Sequence, residues 1–259
     1  MPTSMNIVVL VKYIPNPEGT PEMGPDHRLK REGVEGALDP GDEHSVEAAL
    51  QLAGSDGEVT LVTMGPEAAV GALRRGLSMG GHKGVHVLDD SLKGADVLVT
   101  ARVLAAVVKR QAGFDLVLAG VESTDGYTGT LPMAVAELLD LPNVTFARKV
   151  EVADGTLKVE RQTEAGYDEV ECPLPAVVTV TAGANEPRYP TLKGIMQAKQ
   201  KPMDTLSVSD LGLSAEDAKA TQEVMGLEPV AAKEAGEVIE DPEEAPGRVV
   251  EFLTKAKVI

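Results

Sequence analysis

The segment Glu122-Ser123-Thr124-Asp125-Gly126-Tyr127-Thr128-Gly129-Thr130 has the residue types of an anion-binding loop. Gly126 and Gly129 let the backbone come close to a ligand. Ser123, Thr124, Thr128 and Thr130 supply hydroxyls. The segment follows an apolar run, Leu116–Ala119 ending at Gly120, and precedes a helical pattern that starts near Leu131. The first-turn N–H groups of a helix have no intrahelical acceptor and point outward. Placed after a strand, they suit a phosphate. Asp125 is awkward beside a phosphate, so the expectation for it is a sugar hydroxyl or a cap on the loop. The chain has no Walker A motif and no G-x-G-x-x-G. His27, His44, His82 and His86 lack zinc-site spacing, and no Ser-His-Asp order or acid–base pair points to a hydrolase or transferase.

The elements that must position this loop are legible on either side of it. Asn6–Val11 is a short apolar run that reads as a buried strand. Pro15–Leu38, rich in Pro, Gly and charge, reads as loop. Asp42 is placed to cap a helix whose stripe is Val46, Ala49, Leu50 and Ala53. Glu58–Met64 predicts a second strand, and Pro66 the first turn of a helix carrying Val70, Leu73, Leu77 and Met79. Gly84–Leu88 predicts a third strand. Asp96 can cap a helix with Val99, Val103, Ala106 and Val107. Leu116–Ala119 is the fourth strand, and Leu131, Met133, Ala136 and Leu139 mark the helix after the loop. Strands alternating with helices predict an α/β fold with a doubly wound, mainly parallel sheet. In such sheets ligands sit beyond the carboxyl ends of the strands, where the strand order reverses.

Beyond Leu141 the pattern becomes β-rich. Val144–Val152, Thr156–Glu164, Asp168–Cys172 and Ala176–Val180 read as strands, with a hairpin turn at Asp154-Gly155. They extend the sheet edge or wrap it. Gly183–Lys201 reads as an exposed loop turning into a short helix. Ser214–Pro246 is acidic and reads as an extended, poorly packed segment. Gly247–Ala256 predicts a terminal helix with Val249, Val250 and Leu253 on one side. Such a tail is either a loose terminus or a docking arm, and the cost of wetting Val249, Val250, Phe252 and Leu253 favours the arm.

Composition narrows the partners. In 259 residues, 43% are hydrophobic but only 3% aromatic, with no Trp, so the core is aliphatic. Base stacking needs aromatic platforms, and a net charge of −17 repels phosphate backbones and anionic membranes. Nucleic acid and direct membrane insertion are therefore excluded. The acidity serves solubility or opposes a basic partner. A single cysteine, Cys172, allows no intrachain disulfide and reads as a buried, inert thiol. The apolar run Ile7–Val11 is too short for a signal sequence or a membrane span, which predicts a cytoplasmic protein.

Asn185-Glu186-Pro187-Arg188-Tyr189-Pro190-Thr191-Leu192-Lys193-Gly194-Ile195-Met196-Gln197-Ala198-Lys199 closely resembles the signature of the electron-transfer flavoprotein β (small) subunit. Val9–Lys12, Leu38–Pro40 followed by Glu47-Ala48-Ala49, Ala72–Gly80, Asp115–Gly120 and Leu174–Val178 resemble the same family, in order, from about residue 6 to residue 213. The resemblance implies a heterodimer with an α subunit. It also implies one FAD shared between the subunits and held mainly by α, and AMP in this subunit with a second FAD as the alternative. The family role is electron carrier rather than enzyme, between acyl-CoA and other dehydrogenases, as in fatty acid β-oxidation, and a quinone oxidoreductase.

Carried onto this chain, the nucleotide meets Leu10, Asp39, Pro40, Gly41, Asp42 and Met64. Its phosphate meets the loop from Gly120 through Ser123, Thr124, Asp125, Gly126, Tyr127, Thr128, Gly129 and Thr130 to Leu131. Tyr189, Pro190, Thr191, Leu192, Lys193, Gly194, Ile195 and Met196 resemble the family's recognition loop, within 184–201, with Leu192 as the residue that plugs a dehydrogenase pocket. The implied organisation is a nucleotide-binding domain over 1–213 and an arm over 214–259 that docks on α.

Two departures stand out. Val159-Glu160-Arg161 is followed by Gln162 where a Glu near the flavin is usual, with Glu164 as its substitute. Gly126-Tyr127 replaces acidic residues in the loop, which leaves open an NADH-dependent, electron-bifurcating subunit with FAD in β. A stand-alone nucleotide-binding regulatory protein would explain the first half of the chain but not the hairpins or the tail. An adenylyltransferase would need a Gly/Ser-rich loop after the first strand, which Val11–Pro17 is not.

Overall fold

The computed structural model describes residues 4–228, 230, 236 and 238–259. β1 (Asn6–Leu10) is followed by a two-stranded antiparallel ribbon, β2 (Tyr13–Pro15) with β3 (Gly36–Leu38), and by α1 (Pro40–Ala53). β4 (Glu58–Met64), α2 (Val70–Met79), β5 (Lys83–Val87), α3 (Val97–Arg110), β6 (Leu116–Gly120) and α4 (Leu131–Leu139) alternate after it. β7 (Asn143–Ala153), β8 (Thr156–Thr163), β9 (Gly166–Pro173) and β10 (Ala176–Val180) come next without a helix between them. α5 (Leu192–Ala198), β11 (Met203–Leu206) and α6 (Ala245–Lys255) complete the order.

One nine-stranded sheet runs β11-β5-β4-β1-β6-β10-β7-β8-β9. From β11 to β7 every neighbouring pair is parallel. The physical reason is visible in β1. Ile7 and Val9 enter one apolar cluster while Val8 and Leu10 enter the other. A strand apolar on both faces needs helices on both. Residues of α1, α2 and α5 fill the first cluster, and residues of α3 and α4 fill the second. The fold is thus the doubly wound α/β sheet that the alternation predicts.

The β-rich continuation divides in two. β10, buried throughout, is inserted between β6 and β7 as a parallel strand. Only β7-β8-β9 is antiparallel. Asp154 and Gly155, with φ of 53° and 76°, form the two-residue turn between β7 and β8. β9 closes the sheet with an edge whose Asp168, Glu169 and Glu171 are exposed. Cys172 on this strand is half-buried rather than buried, and desolvation raises its thiol pKa.

Three local expectations are corrected. The loop predicted over Pro15–Leu38 contains the β2-β3 ribbon at its ends, whose strands of three residues are too short for a period to show. The cap of α1 is Asp39, not Asp42. The helix starts at Pro40, and the Asp39 carboxylate accepts the Gly41 N–H at 2.9 Å. Proline at the first helical position was the available signal. In α4 the buried residues are Pro132, Val135 and Ala136, while Met133 and Leu139 are half-buried.

The chain divides into two compact units, residues 1–224 and 225–259. Residues 214–221, expected to pack poorly, are tied to α3. Ala218 is buried, the Arg102 guanidinium donates to the Asp217 carbonyl at 2.8 Å, and Thr221 donates N–H and O–H to Asp96. The second unit contains α6, in which no residue is buried and Val249, Val250 and Phe252 are exposed.

Asp96 does two jobs. One oxygen caps α3 by accepting the Leu98 and Val99 N–H groups, and the other holds Thr221. Burial favours the neutral acid, but the hydrogen bonds from Val99, Thr221 and Leu98 prevail and hold its pKa down to about 2. Asp96→Ala should cost about 1–2 kcal/mol from the cap alone. Thermal unfolding will show the loss, and limited proteolysis should produce a new cut near residue 221.

Candidate functional site

The strand order reverses between β1 and β6, because β4 and β5 lie on one side of β1 and β10 on the other. The crevice at this switch point is framed by the chain leaving β1 and the loop leaving β6. Three acidic side chains join these two segments. Asp39, fully buried, accepts the Thr124 N–H at 2.7 Å and the Thr124 hydroxyl at 3.0 Å. Asp42 accepts the Lys12 N–H at 2.7 Å and the Gly120 N–H at 3.3 Å. Asp125 pairs with the Lys12 ammonium at 2.8 Å and with the Arg31 guanidinium. The Lys12 ammonium also donates to Ser123 Oγ at 3.2 Å.

Glycine is required at the strand end. A Cβ on Gly120 would lie 2.7 Å from Asp42 Oδ1. Gly129 has φ of 64°, a left-handed conformation that glycine adopts without strain. Tyr127 has φ of 48° with its ring exposed, so the loop is held in shape by its contacts and not by local preference.

The electrostatics turn an acidic loop into one that tolerates an anion. Burial, with the Asp39 charge beside it, raises the Asp42 pKa to about 8, against the backbone N–H groups of Lys12 and Gly120 and the Lys12 charge. Asp42 is therefore largely protonated at neutral pH. Burial opposes ionisation of Asp125 too, but the Lys12 charge and hydrogen bond and the Arg31 charge outweigh it and lower its pKa. Thr130, the residue before α4, makes no side-chain cap, so the first-turn N–H groups of α4 keep their capacity for another acceptor. Asp125 neither caps the loop nor stands alone: its partners are two cations.

The structure brings Asp39, Asp42, Gly120, Ser123, Thr124 and Asp125 into one hydrogen-bonded set. Pro40 and Gly41 open α1 beside it, and a Cβ on Gly41 would lie 3.9 Å from the Glu122 carbonyl. Gly126 is close to Ser123, Thr128 and Lys12. Thr130 and Leu131 start α4. Leu10 is buried in the core below, and Met64 ends β4 at the carboxyl edge of the sheet. Lys12 and Arg31 lie outside the set of site residues that the sequence predicts. Lys12, two positions past β1, could have been found from the switch-point rule. Arg31 lies in a long loop with no signal.

A second feature sits on α1 and α2. The Arg188 guanidinium grips Glu47 through two bonds of 2.6 and 2.9 Å, and the Arg188 N–H adds a third at 3.2 Å. Asn185 donates to the His44 carbonyl at 2.9 Å. Thr191 caps α5 by accepting the Gly194 N–H, and a Cβ on Gly194 would lie 2.5 Å from the Ser78 carbonyl. The Lys201 ammonium donates to the Leu77 and Gly81 carbonyls at the end of α2. From this braced base Tyr189, Leu192 and Met196 project, 88%, 77% and 67% exposed, with Ile195 half exposed. Lys193 belongs to the same exposed surface, and Pro190 beside it is half-buried.

Among the described residues, no group of three or more His, Cys, Asp or Glu is placed to hold a metal ion, and no helix is long and apolar enough to cross a membrane. Fold and site together define a doubly wound α/β protein with a charge-balanced, hydroxyl-lined loop at its switch point and a braced apolar projection. The electron transfer flavoprotein domain model matches residues 26–211. Electron transfer flavoprotein subunit beta of Mycobacterium bovis is 40% identical over 98% of this chain and 99% of its own length. The same-named protein of Bacillus subtilis is 37% identical over 90% and 91%. The Caffeyl-CoA reductase-Etf complex subunit CarD of Acetobacterium woodii is 35% identical over 98% and 100%. The chain belongs to the electron transfer flavoprotein family, among its β subunits, and a β subunit implies an α partner.

The Asp42 pKa predicts a pH dependence. Raised from 3.8 to about 8, it means that between these values the folded chain keeps a proton the unfolded chain has lost. The unfolded state then binds fewer protons, so stability falls as pH rises, by at most about 1.4 kcal/mol per unit. His82, whose pKa burial lowers, contributes with the opposite sign. The comparison is therefore between variants: the Tm of Asp42→Asn should decline less from pH 5 to 8 than that of the wild type.

Proposed function

We propose that this chain is the nucleotide-binding and docking subunit of a heterodimeric electron carrier that takes electrons from acyl-CoA and other dehydrogenases and delivers them to a quinone oxidoreductase. The observation that carries this reading is the Leu192 projection, apolar at its tip and clamped at its base by Arg188 and Glu47, in a chain that matches β subunits along nearly its whole length. FAD, held mainly by the α subunit, supplies the redox chemistry. The residues of this chain bind, orient and dock. Burying Leu192 in a pocket contributes roughly 2 kcal/mol. That suits a partner that must leave after each transfer.

In this reading the loop from Gly120 to Leu131 holds AMP. The fit rests on the uncapped α4 N-terminus, the Thr128 and Thr130 hydroxyls, the engagement of Asp39 with Thr124, the protonation of Asp42, and the pairing of Asp125 with Lys12 and Arg31. Asp39 and Asp42 act by positioning, since their oxygens are engaged with backbone N–H groups. The apolar face of α6 docks on the α subunit. The proposed compartment is the cytoplasm. A second reading has its own support: the relative from Acetobacterium woodii is named as part of a caffeyl-CoA reductase complex, and Gly126-Tyr127 stands where the family usually has acidic residues. In it a second FAD takes the AMP place and the chain serves an NADH-dependent bifurcating complex.

Two measurements test these readings. Leu192→Ala should slow flavin reduction by a partner acyl-CoA dehydrogenase about tenfold in stopped flow, at unchanged flavin content, as expected from losing roughly 1.4 kcal/mol of anchor burial. Equal rates would remove Leu192 from the docking surface. Mass spectrometry of the nucleotides released on denaturing the heterodimer should find AMP with one FAD. Two FAD would favour the bifurcating reading, and no nucleotide beyond one FAD would remove the loop from both.

A further inference from the structure

Asp125 is almost fully buried, its side chain 4% exposed, and it holds two cations from different segments. Lys12 comes from the end of β1. Arg31 comes from residues 16–35, the excursion between β2 and β3. The same excursion reaches the other side of the sheet edge, where the Arg28 guanidinium lies over Gly94, in the turn before α3. It therefore crosses the carboxyl edge of the strands, from the turn after β5 to the loop after β6, with the switch-point crevice between its two anchor points. Lys12 also bonds Ser123 Oγ, so its ammonium already belongs to the loop that would receive a phosphate.

We propose that Asp125 is a built-in competitor of the ligand phosphate for Lys12 and Arg31, and that it sets how much phosphate charge the site accepts. This rests on the nucleotide-binding reading of the loop. With the site empty, Asp125 neutralises one of the two positive charges and keeps Arg31, and with it the excursion, over the crevice. An arriving phosphate shares Lys12 with Asp125. One net positive charge from this trio, together with the free N–H groups of α4, offsets part of the charge of a single phosphate group. A ligand with a further phosphate group gains less than its charge would bring, because Asp125 repels it at close range and little water intervenes to screen the repulsion. The carboxylate thus makes the site selective for low phosphate charge, and the two cations make it a phosphate site at all.

The test is equilibrium competition against radiolabelled AMP, on the full chain in complex with its α subunit, with adenosine, AMP and ADP as competitors. Asp125→Asn keeps the side-chain shape and removes its charge. It should tighten ADP about tenfold and AMP about threefold, leave adenosine unchanged, and steepen the salt dependence of ADP binding. Lys12→Gln and Arg31→Gln should each weaken AMP by several-fold and leave adenosine unchanged. If Asp125→Asn weakens all three ligands alike, Asp125 only shapes the loop and the proposal is overturned. If Lys12→Gln and Arg31→Gln bind AMP as the wild type does, the cations are not phosphate ligands and it is equally overturned. Failure of the wild type to bind AMP or adenosine would instead remove the nucleotide reading itself, and the proposal with it.

Discussion

Two buried carboxylates three residues apart, Asp39 and Asp42, join the crossover after β1 to the loop after β6. Asp39 ends the free chain and begins α1, since it accepts the Gly41 N–H, and at the same time it fixes Thr124. Asp42 ties the chain just past β1, at Lys12, to the last residue of β6, Gly120. Replacing either with an apolar residue would leave donors inside the fold without acceptors, and each such group costs about 1–3 kcal/mol. The burial that makes these bonds strong also disfavours the charged form of Asp42, and the Asp39 charge adds to this, which is why Asp42 carries a proton at neutral pH. A rigid loop is thereby obtained with less negative charge at the proposed anion site.

The fold was legible because its strongest signals are local. Val8 and Val9, adjacent in β1, face opposite cores, and a run with no polar alternation announces burial on both sides. Asp96 before an apolar helix, and Asp154-Gly155 between two alternating segments, are short-range signals that the structure bears out. The insertion of β10 between β6 and β7 was not legible, because strand order depends on contacts far apart in sequence. The exchange of capping roles between Asp39 and Asp42 has a similar origin. Both are good caps, and the choice follows from Asp42 facing inward toward Gly120, a neighbour 78 residues away. For the site, glycines and hydroxyls pointed to the loop after β6. The cations of the site were hidden, since Lys12 and Arg31 acquire meaning only through Asp125.

The proposed docking projection and the proposed nucleotide loop meet on one helix. α1 presents Asp39 and Asp42 at its start and Glu47 a little over one turn further along, where Arg188 is held. Burial works against ionisation of Glu47, but the hydrogen bonds from Arg188 and Gln51 lower its pKa, so the clamp stays charged over the physiological range. The exposed apolar tip is therefore carried on a frame that moves with the sheet. A projection of this kind presents the same geometry at each encounter and loses little conformational freedom on docking, which favours frequent, brief contacts.

The ends of the sheet are of different kinds. At one end lies β11, four residues long. At the other lies β9, eight residues long, with an unpaired row of backbone donors and acceptors. A free border of that length invites another copy of the chain to add its own strand, and this is how ordered polymers begin. Asp168, Glu169 and Glu171 line that border, with Arg161 and Lys158 of β8 paired to Asp168 and Glu171, so solvated charged side chains flank the free backbone groups and hinder a second copy from zipping onto them. That border is thereby guarded against strand addition by further copies of the chain.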